Sequence, residues 1–126
     1  MIRFIRLPLT VSKNALHIPI KCGKFHKMVR SKKARLREEE IVAEMHRQIG
    51  GKPLVPCFTR PVSVTWTMTP PDSRSRDVAN YGEQLLDCLQ AAGIVSNDRL
   101  VVHETHEMMP CPEKPGWIDL EVNEIP

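Results

Sequence analysis

The segment from Val62 to Thr69 constrains the fold more than any other part of this sequence. Small polar residues occupy every second position between the apolar ones, which are Val62, Val64, Trp66 and Met68. Strict alternation over eight residues, bracketed by prolines, predicts a β-strand with one buried face and one polar face. Such a strand has to pack its apolar face against other elements. We therefore expect Trp66 in the core and not in contact with a ligand.

Two segments have the periodicity of helices and can pack against the apolar face of this strand. Ser31 is a candidate N-cap for a helix over residues 32 to 49, which Gly50 ends. Its apolar stripe is Leu36, Ile41, Val42, Met45 and Ile49. A second helix is predicted over residues 77 to 92, with Gly93 as its C′ residue. Its stripe is Val78, Tyr81, Leu85, Leu89 and Ala92.

Three more strands are predicted around these elements, over residues 2 to 7, 100 to 107 and 118 to 122. Prolines 110, 112 and 115 predict a hairpin-like loop before the last strand, and residues 10 to 30 read as a long basic loop. The expected fold is α+β, with a small mixed β-sheet covered by two helices in two layers and the order β-α-β-α-β-β. At 126 residues, the chain is expected to form a single domain over residues 1 to 126.

The composition indicates which classes of protein this chain does not resemble. No apolar run approaches the roughly 18 residues of a membrane span, and arginines interrupt the apolar N-terminus, which does not resemble a secretory signal. The four cysteines form no Cys-x-x-Cys pair, so we expect reduced thiols in a cytoplasmic protein. Cys22 and His26 are either half of a metal site or incidental loop residues. We expect no membrane partner and no nucleotide cofactor.

The charge is strongly divided along the chain. Residues 1 to 37 contain 11 Lys and Arg and no acidic residue, whereas residues 38 to 126 contain 7 basic and 15 acidic residues. This division suits a protein that attracts a polyanion with one surface, although a solubilising basic arm is the alternative. Basic side chains also fill the first turns of the first predicted helix, where the helix dipole disfavours them and a phosphate would explain them. The predicted phosphate contacts in this half are Lys21, Lys24, Lys27, Arg30, Lys32 and Lys33.

Two carboxylates, Asp77 and Asp98, stand at the ends of the second predicted helix and its following turn, and Arg74 and Arg76 precede the first. Carboxylates hold hard divalent cations, and neighbouring guanidinium groups neutralise phosphate. This arrangement suggests a metal-assisted phosphodiester site. The alternatives are a helix N-terminal acid for Asp77, a turn residue for Asp98 and plain surface charge for the two arginines.

The same motifs, taken in order over nearly the whole chain, resemble the RusA family of Holliday junction resolvases. The matching stretches are Arg-Ser-Arg-Asp-Val-Ala-Asn at 74–80, Leu-Asp-Cys-Leu at 86–89, Ala92-Gly93 and Asn97-Asp98, with a looser match at Pro8, Ser12 and Asn14. The resemblance implies hydrolysis of DNA phosphodiesters at four-way junctions, dependent on Mg²⁺ with Mn²⁺ as a possible substitute. It also implies a homodimer that nicks opposed strands of the branched DNA.

The resemblance departs from the family pattern at the site itself. The catalytic carboxylates of the family correspond to Asp77, Ala79 and Asp98, and its catalytic lysine corresponds to Glu83. Residues 79 and 83 are one helical turn apart, so Glu83 is either a relocated metal carboxylate or a solvated residue of a decayed site. The candidate catalytic and metal residues are therefore Asp77, Asp98 and Glu83. The alternative functions are binding of branched DNA without cutting, and a protein-interaction role with no DNA partner.

Overall fold

The computed structural model describes all 126 residues and confirms the predicted α+β class. Two helices and a four-stranded mixed sheet form two layers around one main core. No helix is both long and apolar enough to cross a membrane. The elements, in chain order, are β1 (Ile2–Pro8), β2 (His17–Cys22), β3 (Phe25–Arg30), α1 (Lys32–Ile49), β4 (Val62–Thr69), α2 (Gly82–Ala91), β5 (Val101–Met108) and β6 (Trp117–Glu124).

Strand β4 is the centre of the sheet, whose strand order is β1-β6-β4-β5. It pairs parallel with β5 and antiparallel with β6, so both of its edges are hydrogen-bonded. Its apolar residues are buried as predicted, and Trp66 is only 1% exposed. Strand β6 alternates in the same way and buries Ile118, Leu120 and Val122. The most apolar strand of the chain thus takes the most buried place in the sheet.

The hairpin-like loop predicted before the last strand is wrong. Strands β5 and β6 lie on opposite sides of β4, and the connection between them passes the end of that strand. On its way the amide of Met109 donates to the carbonyl of Met68, and the amide of Glu113 donates to the carbonyl of Pro70. Prolines mark a turn in either arrangement, but they do not determine which strand lies between its two ends.

The long loop predicted over residues 10 to 30 is wrong in its second half. Strands β2 and β3 form a separate two-stranded antiparallel sheet, which we call the basic hairpin, with a turn at Gly23 and Lys24. Gly23 has a φ of 60°, a left-handed conformation that glycine adopts without strain. Both strands are edge strands, which is where the missing amide hydrogen of Pro19 is tolerated. Cys22 and His26 point to opposite faces of this hairpin, so they do not form half of a metal site.

The first predicted helix has the expected bounds. The hydroxyl of Ser31 accepts a hydrogen bond of 3.0 Å from the amide of Ala34, and Gly50 ends the helix at a φ of 91°. Leu36 is exposed, contrary to the predicted stripe, because Ala34 takes the buried position in that turn.

The second helix begins later than predicted. Residues 78 to 81 form a 3₁₀ turn, and α2 starts only at Gly82. A Cβ on Gly82 would lie 2.8 Å from Oε2 of Glu104 and 3.1 Å from the ring of Trp66, so a larger residue would require both side chains to shift where the helix meets the sheet. At the other end Gly93 takes the predicted C′ role with a φ of 78°.

A buried side-chain amide ties the two helices to the segment after β1. Gln84 on α2 has no exposed surface. Its Oε1 accepts a 2.7 Å hydrogen bond from the amide of Val11, and its Nε2 donates a 2.8 Å bond to the carbonyl of Ala34. Both polar atoms of this buried amide therefore have hydrogen-bond partners, as buried polar groups in folded proteins usually do.

We expect Gln84→Ala to lower the free energy of unfolding by about 2–4 kcal/mol, because it leaves the buried N–H of Val11 without a partner and opens a small cavity. Urea unfolding followed by circular dichroism measures this loss. Gln90→Ala is the matched control, since it also removes a side-chain hydrogen bond, to the amide of Asp98, but an exposed one on the same helix, and should cost less than about 1 kcal/mol. Equal losses in the two variants would contradict the role given to Gln84.

Candidate functional site: a basic cleft beside Asp77

Three separate segments of the chain meet at a cleft of about 250 Å³. Its walls are the segment after β1, the first turns of α1 and the loop after β4, with Tyr81 and Pro115 at its margin. All the charged side chains that line it are basic, namely Lys33, Arg37, Arg74 and Arg76. The hydroxyl residues Thr10, Ser12 and Tyr81 line it as well. We call this the basic cleft, and its chemistry suits a phosphate group.

Hydrogen bonds between its walls hold the basic cleft in shape. Arg37 on α1 donates to the carbonyl of Leu9, and the hydroxyl of Thr10 donates to the carbonyl of Tyr81 at 2.6 Å. Lys33 lies one helical turn before Arg37 on the same exposed face of α1. The cleft is therefore a product of tertiary packing between segments that are distant in the sequence.

Asp72 orients the two arginines of the loop after β4. Its Oδ1 lies 2.7 Å from Nη1 of Arg76, and its Oδ2 lies 3.3 Å from Nε of Arg74. The hydrogen bond from Arg76, helped by the backbone amide of Arg74, holds the pKa of Asp72 well below its usual range. The same bond raises the pKa of Arg76, whose side chain is only 8% exposed. Asp72 thus fixes the guanidinium groups in place and also competes with any phosphate for them.

Asp77 directly follows Arg76 in the chain. Its Oδ1 accepts a 3.1 Å hydrogen bond from the amide of Ala79, so it caps the 3₁₀ turn that leads into α2. The position agrees with the alternative of a helix N-terminal acid, and the structure adds the hydrogen bond of a cap. The cap uses one carboxylate oxygen and leaves the other without a protein partner on an exposed side chain. Capping and metal binding are therefore compatible at this residue.

Asp98 lies at the opposite end of α2 from Asp77. Its amide donates a 3.1 Å hydrogen bond to Oε1 of Gln90, in the last turn of the helix. Gly82 and Gln90 are about 12 Å apart along the helix axis, at a rise of about 1.5 Å per residue. The structure therefore anchors the backbone of Asp98 at one end of α2, whereas Asp77 precedes the other end.

Glu83 is the second residue of α2, is exposed, and forms no ion pair in the structure. The chain contains no group of three or more His, Cys, Asp or Glu side chains that could hold a metal ion together. The metal role of Asp77, Asp98 and Glu83 stays a prediction, and of the three Asp77 is the one that directly follows a residue of the basic cleft, Arg76. Mg²⁺ commonly takes one or two carboxylates with waters and substrate phosphate, so Asp77 beside a bound phosphate fits such an ion.

The predicted DNA contacts fall into two sets, with Arg30 outside both. Lys33, Arg74 and Arg76 line the basic cleft, whereas Lys21, Lys24 and Lys27 are exposed on the basic hairpin, with Lys32 exposed at the start of α1. Arg30 differs from both sets, since its guanidinium lies 3.1 Å from Asp87 and 3.9 Å from Glu38. It therefore ties the base of the hairpin to both helices, and part of its charge is neutralised.

Sequence reasoning missed three groups that the structure places at or near the site. Arg37 lines the cleft; it is one of the basic side chains in the first turns of α1, but it was not among the predicted phosphate contacts. The hydroxyl of Tyr81 was assigned only to an apolar stripe. Glu104 accepts a 2.9 Å hydrogen bond from the indole of Trp66 and lies against Gly82, at the start of α2. No local sequence pattern marks this carboxylate.

Comparison with protein families and with curated proteins finds no relative of this chain. No protein-family model matches the chain, and no curated protein matches it either. The resemblance to the RusA family therefore depends on the motifs at residues 74–98 and on their order in the sequence.

We expect Asp72→Asn to tighten DNA binding several-fold, because it releases two guanidinium groups from a competing carboxylate. Fluorescence anisotropy of a labelled four-way junction measures this change. Glu124→Gln is the matched control, since it removes the same charge beside Arg60, away from the cleft.

The pKa of Asp72 is lowered, so its ion pairs are intact above the ordinary Asp pKa of about 4 and are lost only as the pH falls further. The gain in affinity should therefore be constant between about pH 5 and pH 8. Weaker binding by the variant would show that orientation of the arginines outweighs the competition.

Proposed function

We propose that this protein binds branched DNA and that the basic cleft holds a backbone phosphate of that DNA. The observation that carries the proposal is the convergence of four basic side chains, two from α1 and two from the loop after β4, on a cleft that no acidic residue lines. Phosphate contacts of this kind supply most of the affinity of a protein for DNA and fix its orientation. The exposed lysines of the basic hairpin extend the same positive surface.

We propose, as the activity of this site, hydrolysis of DNA phosphodiesters at four-way junctions, as in the RusA family that the motifs resemble. Asp77, with Glu83 as a second candidate, would hold Mg²⁺ or Mn²⁺ next to the bound phosphate. The bound ion would polarise the phosphate and lower the pKa of its water. Arg74 and Arg76 neutralise the charge that develops on the phosphate, and Asp72 keeps both guanidinium groups in position for it.

Paired nicks in opposed strands need two such clefts, which a homodimer would supply. Recognition would depend on the shape of the junction, because the cleft contacts offered by the protein are to phosphate and not to base edges.

A second candidate is a protein that binds branched DNA without cutting it. Two observations favour it: Ala79 stands where the family has a carboxylate, and α2 separates Asp77 from Asp98. Both candidates predict the same binding, so only cleavage separates them.

Lys33→Ala should weaken junction binding and lower the slope of log affinity against log salt by about one, because one phosphate contact is lost. Anisotropy titrations at several salt concentrations measure both quantities. Lys52→Ala is the control, since Lys52 is an equally exposed lysine on the turn after α1, outside the cleft. Identical slopes in the two variants would remove Lys33 from the binding surface.

The cleavage test uses a labelled four-way junction with Mg²⁺ or Mn²⁺, the parent protein and Asp77→Asn. We expect metal-dependent nicks by the parent and a loss of about a hundredfold or more in the variant, the size typical for removal of a group that stabilises the transition state. Glu83→Ala should reduce the rate as well, and Glu107→Ala, an exposed carboxylate on β5, should leave it unchanged.

Each outcome of this assay selects one function. Cleavage by Glu83→Ala at the parental rate would show that this residue is not a relocated metal ligand. Junction binding with no nicking at high protein concentration would select the second candidate. Failure to bind branched or linear DNA at low salt would reject both and leave a protein-interaction role.

A further inference from the structure

The basic hairpin is separate from the core of the protein. Strands β2 and β3 pair only with each other, and residues 17 to 28 are all exposed. None of its residues belongs to either buried apolar cluster. A two-stranded hairpin of this kind is only marginally stable alone in water, so its exposed side chains are available to a ligand and not needed for the fold.

The two faces of the hairpin differ in chemistry. The cross-strand pairs place six residues on each face. One face is apolar except for a single lysine, with Ile18, Ile20, Cys22, Phe25, Lys27 and Val29. The other face is mostly polar and basic, with His17, Pro19, Lys21, His26, Met28 and Arg30.

Phe25 is the most exposed apolar side chain of the hairpin, at 77%. It directly follows the turn, whereas Arg30 at the other end of β3 is joined to both helices. The six paired residues of each strand span about 20 Å, so Phe25 is carried well away from the body of the protein. An exposed aromatic ring at the tip of a projecting element is placed to contact a ligand and not the core.

Charge identifies the kind of ligand. Residues 17 to 30 contain four Lys and Arg and no acidic residue. Lys24 precedes Phe25 at the turn, and Lys27 lies on the same face as its ring. A ligand that covers this tip has to offer an apolar surface and negative charge within a few ångströms of each other. An unpaired nucleobase with its flanking phosphates offers both, whereas a continuous duplex hides the faces of its bases.

We propose that Phe25 stacks on a base exposed at the branch point of the DNA, while Lys24 and Lys27 contact the flanking phosphates. This inference rests on the proposed function and names the part of the substrate that the hairpin recognises. Stacking on an aromatic ring tolerates any base, so it selects for branched structure and not for sequence. The cleft holds the backbone, and the hairpin tip detects the interruption in the duplex.

The experiment compares the affinity of the full-length protein for a four-way junction and for a duplex of the same sequence. Phe25→Ala should lose about fivefold or more in junction affinity, with the duplex affinity changed less than about twofold. Phe25→Trp, which keeps an aromatic face, should retain the parental ratio. Phe25→Ile keeps apolar surface and strand propensity but not the ring, and should behave as Phe25→Ala does. Leu54→Ala, at a fully exposed apolar residue outside the hairpin, is the control.

Three results would overturn the proposal while leaving the proposed function in place. The first is a parental junction-to-duplex ratio in Phe25→Ala. The second is a parental ratio in Phe25→Ile, which would mean that apolar area and not stacking is recognised. The third is dissociation of a parental dimer in Phe25→Ala, seen by sedimentation, which would assign this face to a second copy of the chain. A parent protein that binds neither DNA at low salt would overturn the proposed function itself, together with this inference.

Discussion

The two hydrogen bonds of the Gln84 side chain hold together the segments that build the basic cleft. One end of its amide binds the backbone at Val11 and the other binds the backbone at Ala34, and the side chain has no exposed surface. An unpaired buried backbone group costs about 1–3 kcal/mol, so these bonds fix the segment after β1 against both helices. Thr10 and Lys33, which line the cleft, are the residues next to those two contacts. The geometry of a surface site therefore follows from a contact in the interior.

How much of the fold the sequence predicts depends on how local each signal is. Strand β4 and helix α1 have regular periodicity and, for the helix, end signals of their own, and their bounds are as expected. The order of strands in the sheet depends on contacts between distant residues, which is why the placement of β4 between β5 and β6 was missed. The basic hairpin was missed for the opposite reason. Its short alternation is interrupted by lysines and a proline, and no burial pattern accompanies it because neither face is in the core.

In the candidate site, too, the sequence predicts single residues but not the contacts between distant ones. Arg74, Arg76 and Lys33 stand out by charge and motif, but no sequence pattern shows that they share a cleft with Arg37 or that Asp72 engages both loop arginines. The spacing of 21 residues between the two aspartates matches the family pattern, yet a spacing in sequence does not give a distance. The helix between them places one at each of its ends. Whether such residues cooperate depends on how the chain folds back, which local chemistry does not determine.

Because the basic hairpin is isolated from the core, the residues that stabilise the fold are different from those of the hairpin that are available to a ligand. The free energy of unfolding resides in β4, its neighbouring strands and the two helices, whereas residues 17 to 28 contribute almost no buried surface to it. Substitutions in the hairpin are therefore nearly neutral for folding, and its residues are free to vary with the ligand. Over evolution, one stable sheet can in this way carry hairpins of different length and chemistry without being redesigned each time.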